Sequence, residues 1–340
     1  MLAFIEPAIL NIILAIVKSI ILVSVAMFHV AYATYFERKV IGHMQVRMGP
    51  MRVGPHGILQ PIADMIKLFF KEDIIPEKAD RTVFYFAPVI SFVAAISSLS
   101  VIPFYKDWYV ANINIGLLFI LAMSSLGAYG IVMAGWASNS KYAFLGGLRS
   151  SAQVLSYEIA MGLSLVGVMI MAGSLNLREI VEAQNKLPYG MFAIPQILGL
   201  FVFLVAAFAE TNRSPFDLPE AESELVAGYF AEYSGFRFAL FYAGEYIAMI
   251  VMASLLTACY FGGWTLPPFI LKLIPFLGLV PGIVWFILKV YFFIFLYYWI
   301  RATLPRYRYD QLMTIGWKVL IPLSLLNIFI TGTLRILKVF

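Results

Sequence analysis

Residues 209–229 read AETNRSPFDLPEAESELVAGY, and the runs that flank them, 191–210 and 238–262, are apolar and each long enough to cross a bilayer as a helix. Five carboxylates fall inside this one connection: Glu210, Asp217, Glu220, Glu222 and Glu224. They do so in a chain that is 62% hydrophobic and only 13% charged, so the acids are concentrated where the composition has least of them. Asp217, two residues before Pro219 and three before Glu220, suits a helix N-cap with proline in the first turn and acid facing the positive helix end. Arg213 could pair with one more carboxylate. Capping and pairing leave the others unexplained, and ionisable groups at the edge of hydrocarbon point to electrostatic or proton work.

Working outward, eight apolar runs approach the roughly 20 residues that a membrane helix needs: 9–35, 83–103, 114–137, 153–173, 191–210, 238–262, 281–300 and 313–334. A mean hydropathy of +0.88 agrees. The sequence therefore predicts an all-α polytopic membrane protein of eight transmembrane helices, with 1–340 as a single integral membrane domain. The first run is too long, and the residues before it too poor in basic groups, for a cleavable signal peptide. The single cysteine, Cys259, lies in an apolar run, which excludes internal disulfides, Cys-ligated iron–sulfur clusters and Cys-based zinc sites. Basic residues in loops beside the membrane account for the pI near 9.1 without nucleic acid.

Loops after the odd-numbered helices carry fifteen Lys and Arg residues, against six on the other side and in the tail. By the positive-inside rule the acidic connection faces the cytoplasm and both termini face outward. The first cytoplasmic loop, from Glu37, is broken by Gly49-Pro50 and Gly54-Pro55. After it, Ile58, Ile62, Met65, Ile66 and Phe69 recur at helical spacing opposite Gln60, Asp64, Lys67 and Lys71. That pattern predicts an amphipathic helix in the interface plane, either a connector resting on headgroups or the lip of an entrance for a lipid-soluble substrate.

Two further carboxylates sit within predicted spans, Glu158 about two turns below the cytoplasmic end of helix four and Glu245 in helix six. At that depth a carboxylate must be protonated, paired or wet. Lys18 and Lys289 are the other in-membrane charges and read as structural counter-ions. In the last cytoplasmic loop Arg301, Arg306 and Arg308 accompany Asp310, either as a positive-inside anchor or as a surface for an acidic partner. His29, His43 and His56 are too scattered to hold haem between facing helices, and no phosphate-binding glycine loop or HExxH motif is present. The chain is expected to bind no redox cofactor and no metal of its own.

Four blocks, ERKVIGHMQVRMGPMRVGPHGILQPIADMIKLFFKEDIIP, LRSSAQVLSYE, AETNRSPFDLPEAESELVAGY and RYRYDQLMTIGWK, closely resemble the H subunits of respiratory complex I, the proton-pumping NADH:quinone oxidoreductase, whose mitochondrial counterpart is subunit 1. The resemblance runs through essentially the whole chain. It implies a heel subunit that forms the entrance tunnel and cavity wall for quinone, framed by helices one and six and the amphipathic helix. NADH, FMN and iron–sulfur clusters would be handled by partner subunits of the peripheral arm, with small membrane subunits, antiporter-like subunits and lipids as further partners and no nucleic acid. On this chain the implied proton path falls on Glu158, Glu210, Asp217, Glu220, Glu222, Glu224 and Glu245. The implied quinone cavity and docking surface fall on Arg38, Arg47, Asp64, Arg301, Arg306 and Arg308, with Phe216, Phe241 and Tyr242 as apolar tunnel contacts. The implied location is a bacterial inner membrane, or the mitochondrial one. Three other readings stay open on the residues alone: the homologous membrane subunit of a [NiFe] hydrogenase or formate hydrogenlyase, a self-standing cation transporter, and a passive membrane anchor.

Overall fold

A computed structural model of the chain describes residues 7–106, 108–218 and 226–337, with side chains from residue 12 onward. Helices dominate it; among the described residues the only extended pairing is an isolated bridge between Tyr105 and Trp108. Helix α1 runs Pro7–Met44, 38 residues, or about 57 Å at 1.5 Å per residue. It continues well past the expected end near residue 35, because YFERKVI holds no glycine or proline and stays helical after it turns polar. A narrow stripe holds α1 to the bundle, Leu22, Ala26, Val30, Ala33 and Glu37, at the three- and four-residue spacing of one helix face.

The predicted helix in the following loop is α2, Gln60–Phe70, with Pro61 in its first turn. Its apolar residues Ile62, Met65, Ile66 and Phe69 are exposed in the isolated chain. Two contacts tie its far end to the start of α8 (Gly235–Tyr260). Arg237 Nε donates to Asp73 at 3.0 Å, and Ser234 Oγ accepts from Ile74 N and donates to Glu72 O, both at 3.1 Å.

Helix α3, Arg81–Leu99, starts where the Asp80 carboxylate accepts from the backbone of Thr82 and Val83. Pro88 lies inside it and leaves the Phe84 carbonyl without its helical donor; the Tyr233 hydroxyl takes that carbonyl at 3.4 Å. Helix α4, Gly116–Ala137, packs on α3 so closely that a Cβ at Gly130 would meet the Ala87 carbonyl at 2.9 Å. Helix α5, Lys141–Ala172, is 32 residues long and begins well ahead of the apolar run that starts at residue 153. Arg149 is thus helical rather than in a loop, and Glu158 sits nearly five turns along the helix, about 17 residues from its start.

After α6 (Leu177–Asn185) comes the run that departs most from expectation. Residues 191–196 are not helical, and α7 is only Ile197–Glu210, 14 residues, about 21 Å against a hydrocarbon thickness near 30 Å. The irregular backbone is buried and supplied with partners: Phe192 N donates to Gln184 Oε1 at 3.2 Å and Ala193 N to Tyr260 O at 2.9 Å. Non-helical backbone survives at membrane depth only under such protein cover. Among the described residues seven helices are long and apolar enough to cross a bilayer: α1, α3, α4, α5, α8, α10 (Gly282–Thr303) and α11 (Tyr309–Ile336). Helix α7 is an eighth, shorter apolar helix. A π-helical turn over Ile315–Leu320 interrupts α11.

Helix α8 is the centre of the bundle, buried on all sides from Met249 to Tyr260. After it come a loop and the short α9, Pro268–Leu273. Lys289 of α10 explains its own depth here: Nζ donates to the carbonyls of Phe261, Gly263 and Thr265 at 2.6, 2.9 and 2.6 Å. Its partners are backbone oxygens past the end of α8, where a cation also suits the helix dipole. Lys18 likewise donates to a carbonyl, that of Tyr109, at 3.3 Å. Lys289→Met should strand three carbonyls and cost the folded chain about 2 kcal/mol, read as a lowered Tm in detergent; an unchanged Tm would mean that water replaces the ammonium without loss.

Candidate functional site

The extension of α1 delivers Glu37 into the bundle, where it is 5% exposed. Three elements converge on its carboxylate. The Tyr246 hydroxyl of α8 donates to Oε2 at 2.5 Å. Arg213, from the α7–α8 connection, donates to Oε1 at 3.4 Å, and Arg301, at the end of α10, donates to the same oxygen. The Arg213 guanidinium lies 4.2 Å from the centre of the Tyr246 ring, and the Tyr242 and Tyr246 hydroxyls are 3.1 Å apart. Burial works against the Arg213 charge, yet Tyr246, Glu37 and Glu245 more than offset it and hold its pKa well above the ordinary arginine range. A second pair lies alongside, Arg306 donating to Asp217 at 3.2 Å. Burial pushes the Asp217 carboxyl above the usual range, and Arg306, Arg301 and Arg213 pull against that.

A different set of acids meets inside the bundle. Glu210 and Glu245 line one cavity of about 90 Å³ together with Ser91, Ser98, Ser124 and Asn212, polar and roomy enough to hold water. Ser124 Oγ donates to Glu210 and Ser125 Oγ, one residue on, to Glu158. Glu158 and Glu210 lie near enough to act on each other electrostatically, and the Tyr229 hydroxyl donates to Glu245 at 2.9 Å. Three carboxylates far apart in sequence are thus neighbours in space. Arg213 connects the two groups, since it interacts with Glu37 and with Glu245.

Of the other residues singled out in the sequence, Arg38 pairs with Asp64 at 2.9 Å, joining α1 to α2. Arg308 forms a two-point pair with Asp310 at 3.1 Å on the surface, and Arg47 is exposed and donates to Gln45. Phe216 is buried between the Tyr157 and Tyr307 rings, and Phe241 lines the acidic cavity. Tyr242 belongs to the Glu37 cluster through its hydroxyl. Glu220, Glu222 and Glu224, with Pro219 and the first turn that Asp217 is expected to cap, lie outside the described residues.

Sequence reasoning missed Glu37, Arg213, Tyr246 and the serine pair Ser124-Ser125 as site residues. The signal for Glu37 is present: an acid at the head of ERK, three- and four-residue steps along one stripe from Ala33 and Val30. Ending the helix where its apolar run stops leaves this acid in a loop. Two apolar cavities flank α1 on its α10 side, of about 340 and 360 Å³, meeting at His29 and Tyr291; His29 Nδ1 and the Tyr291 hydroxyl are 3.0 Å apart. Among the described residues no three His, Cys, Asp or Glu side chains come together as a metal ion would need.

Long apolar helices around a buried α8, with a paired acid–arginine cluster beside an internal carboxylate cavity, define a polytopic membrane protein with charged groups buried in its interior. Residues 17–332 match the family model described as NADH dehydrogenase. The chain is 56% identical over 303 residues to the H subunit of the NADH-quinone oxidoreductase of Rhodospirillum rubrum, covering 89% of this chain and 88% of the relative. It is 51% identical over 330 residues to the H subunit of the Magnetococcus marinus enzyme, covering 97% and 94%. Against its counterpart in Brevibacillus brevis it is 51% identical over 317 residues, covering 93% and 92%. The chain belongs to the NADH dehydrogenase family.

Proposed function

We propose that this chain works as the H subunit of a proton-translocating NADH:quinone oxidoreductase in a bacterial inner membrane, forming the wall of the quinone passage and the first part of an acidic path toward the pumping subunits. The reading is of one integral domain with eight spans, α7 completing the count with the buried irregular turn before it. The acidic connection would face the cytoplasm, as the basic loops require, and the exposed apolar face of α2 would lie in the interface beside α1 and α8. The aromatic and aliphatic cavities along α1 are in keeping with passage of a long-chain apolar substrate close to that helix. Electrons would come from FMN and iron–sulfur clusters carried by peripheral partner subunits.

The observation that carries the coupling role is the shared Arg213, one cation acting on both the Glu37 cluster and the Glu210–Glu245 cavity. Reduction of quinone to quinol takes two electrons and two protons. A proton drawn from, or a charge created beside, the Glu37–Tyr246 cluster changes the potential at Arg213 and hence at Glu245. A charge change in a low-dielectric interior is worth several times its value in water. That is enough to shift the protonation of a coupled carboxylate set. The exposed Arg308–Asp310 pair would belong to the surface that meets the peripheral arm, and Asp217, Glu220, Glu222 and Glu224 to the path itself.

The test is a tagged chain drawn gently from native membranes. A large iron–sulfur complex with inhibitor-sensitive NADH:quinone activity is the expected result. The same complex evolving hydrogen and ignoring quinone would move the chain to the hydrogenase branch, and an intact iron-free 38 kDa protein would point to a transporter.

A further inference from the structure

Gln153 of α5 is fully buried, and its single amide nitrogen spans the turn that joins the two charged sites. Nε2 lies 2.7 Å from the Ala209 carbonyl and 2.8 Å from the Phe216 carbonyl, with Asn212 Oδ1 at 3.2 Å. Those two carbonyls bracket residues 210–215, the segment that begins with Glu210 in the acidic cavity and carries Arg213 to Glu37. One helical turn on, Tyr157 is also fully buried, and its hydroxyl donates to the Leu312 carbonyl at 2.9 Å, near the start of α11. Between the two anchors the loops themselves interlock: the Phe216 ring stacks on Tyr307 at 5.5 Å, and Tyr307 N donates to Pro215 O at 3.1 Å. The same face of α5 thus fixes the connection that bears Arg213 and Asp217 and the segment that bears Arg306 and Arg308.

We propose that Gln153, seconded by Tyr157, is a positioning residue that sets the separation of the Glu37–Arg213–Arg301 cluster from the Glu210–Glu158 pair, and so the strength of their coupling. This rests on the functional reading above and adds to it the element that holds the two sites in register. A rigid helix supplies two donors, 153 and 157, to the backbones of two loops whose side chains make both sites. Removing the amide leaves the Ala209 carbonyl with Asn212 N at 3.2 Å and takes away the Phe216 carbonyl's donor, and a buried carbonyl moves to find another partner. Electrostatic coupling through a low-dielectric interior falls with each added fraction of an ångström, and misplacement of about 1 Å can cost as much as a hundredfold in rate.

The experiment places Gln153→Met, an unbranched replacement of similar length, and Tyr157→Phe, which removes one oxygen, in the chain within its assembled membrane complex. NADH oxidation by a water-soluble electron acceptor reports the peripheral arm. Quinone reduction across pH and proton uptake by sealed vesicles report the coupling. We expect the first to be unchanged, and protons moved per quinone reduced to fall about tenfold in Gln153→Met and about twofold in Tyr157→Phe, with a displaced pH profile. In the double variant the losses should combine non-additively, because both anchors act on one interlocked pair of loops. A Gln153→Met complex that assembles and keeps the wild-type proton ratio and pH profile overturns the inference. Should Gln153→Met not assemble, Tyr157→Phe decides on the same readouts. A wild-type complex that does not reduce quinone overturns the functional reading, and this inference with it; variants indistinguishable from a quinone-reducing wild type overturn this inference alone.

Discussion

Glu37→Gln should lower the stability of the folded chain by about 3 kcal/mol and raise the KM for quinone, the larger of two effects that the site geometry predicts. The substitution keeps volume and shape. It removes the negative charge on which Arg213 and Arg301 both donate, at a position where Glu37 is 5% and Arg213 7% exposed. Breaking a buried pair from one side leaves an uncompensated cation, which costs about 3–5 kcal/mol. The lower figure applies because the Arg301 side chain is 32% exposed and reaches water. A carboxamide also changes the bond from Tyr246, whose hydroxyl now donates to a neutral oxygen or accepts from the amide nitrogen. Glu37→Asp, which keeps the charge on a shorter stem, should be milder. Adding Arg301→Gln to Glu37→Gln should restore part of the loss, since one of the stranded cations goes too. Thermal denaturation of the detergent-purified complex checks the first effect and steady-state quinone titration the second. A Glu37→Gln complex with wild-type Tm and KM would mean that the arginines find other counter-charges and that the cluster is not organised around this acid.

How much of this is legible beforehand follows from which physical rule each residue obeys. Hydrophobic runs announce the helices, because a bilayer imposes length and composition on anything that crosses it. The run 191–210 reads as a full span for the same reason: hydropathy counts apolar residues and does not see that Gln184 and the Tyr260 carbonyl hold residues 192 and 193 outside any helix. The early end expected for α1 and the late start expected for α5 share a cause. Both helices run on through polar residues, where transfer energy falls silent while backbone hydrogen bonding continues. Those two extensions hide Glu37 in a loop and place Glu158 too near a helix end. The acids themselves stand out, since a carboxylate in an apolar context is conspicuous from sequence. Their partners do not: Ser124 and Ser125 are ordinary small residues of a membrane helix until α4 is laid against α5 and α7. Nor can spacing reveal that Arg213, four residues before Asp217, donates to Glu37 on another helix.

Glu210→Gln is the substitution expected to separate proton movement from electron transfer most sharply. Glu210 closes α7 and faces a cavity that it shares with Glu245, with Ser124 donating to one of its oxygens. Its other oxygen has no hydrogen-bond partner among the described residues. Such a buried, unpartnered atom costs free energy where it stands, and the residue borders a cavity of about 90 Å³. An amide of the same shape keeps the Ser124 contact and the packing of α7, so the complex should assemble with little loss of Tm. It cannot take or release a proton. If the path runs through this cavity, coupled proton translocation should fall on the order of a hundredfold, the usual scale for removing a group that carries a proton in a rate-determining step. NADH oxidation by a water-soluble acceptor, which depends on the peripheral arm, should be unaffected. Glu245→Gln, across the same cavity, should act in the same direction, and the double variant should lose little more than either alone, since one interrupted relay is as inactive as two. Proton uptake by sealed proteoliposomes, measured beside NADH oxidation in the same preparation, checks this. Glu210→Gln vesicles that pump at the wild-type proton-to-electron ratio would take the cavity out of the path. The carboxylates of the α7–α8 connection, with Glu158, would then have to pass protons without it.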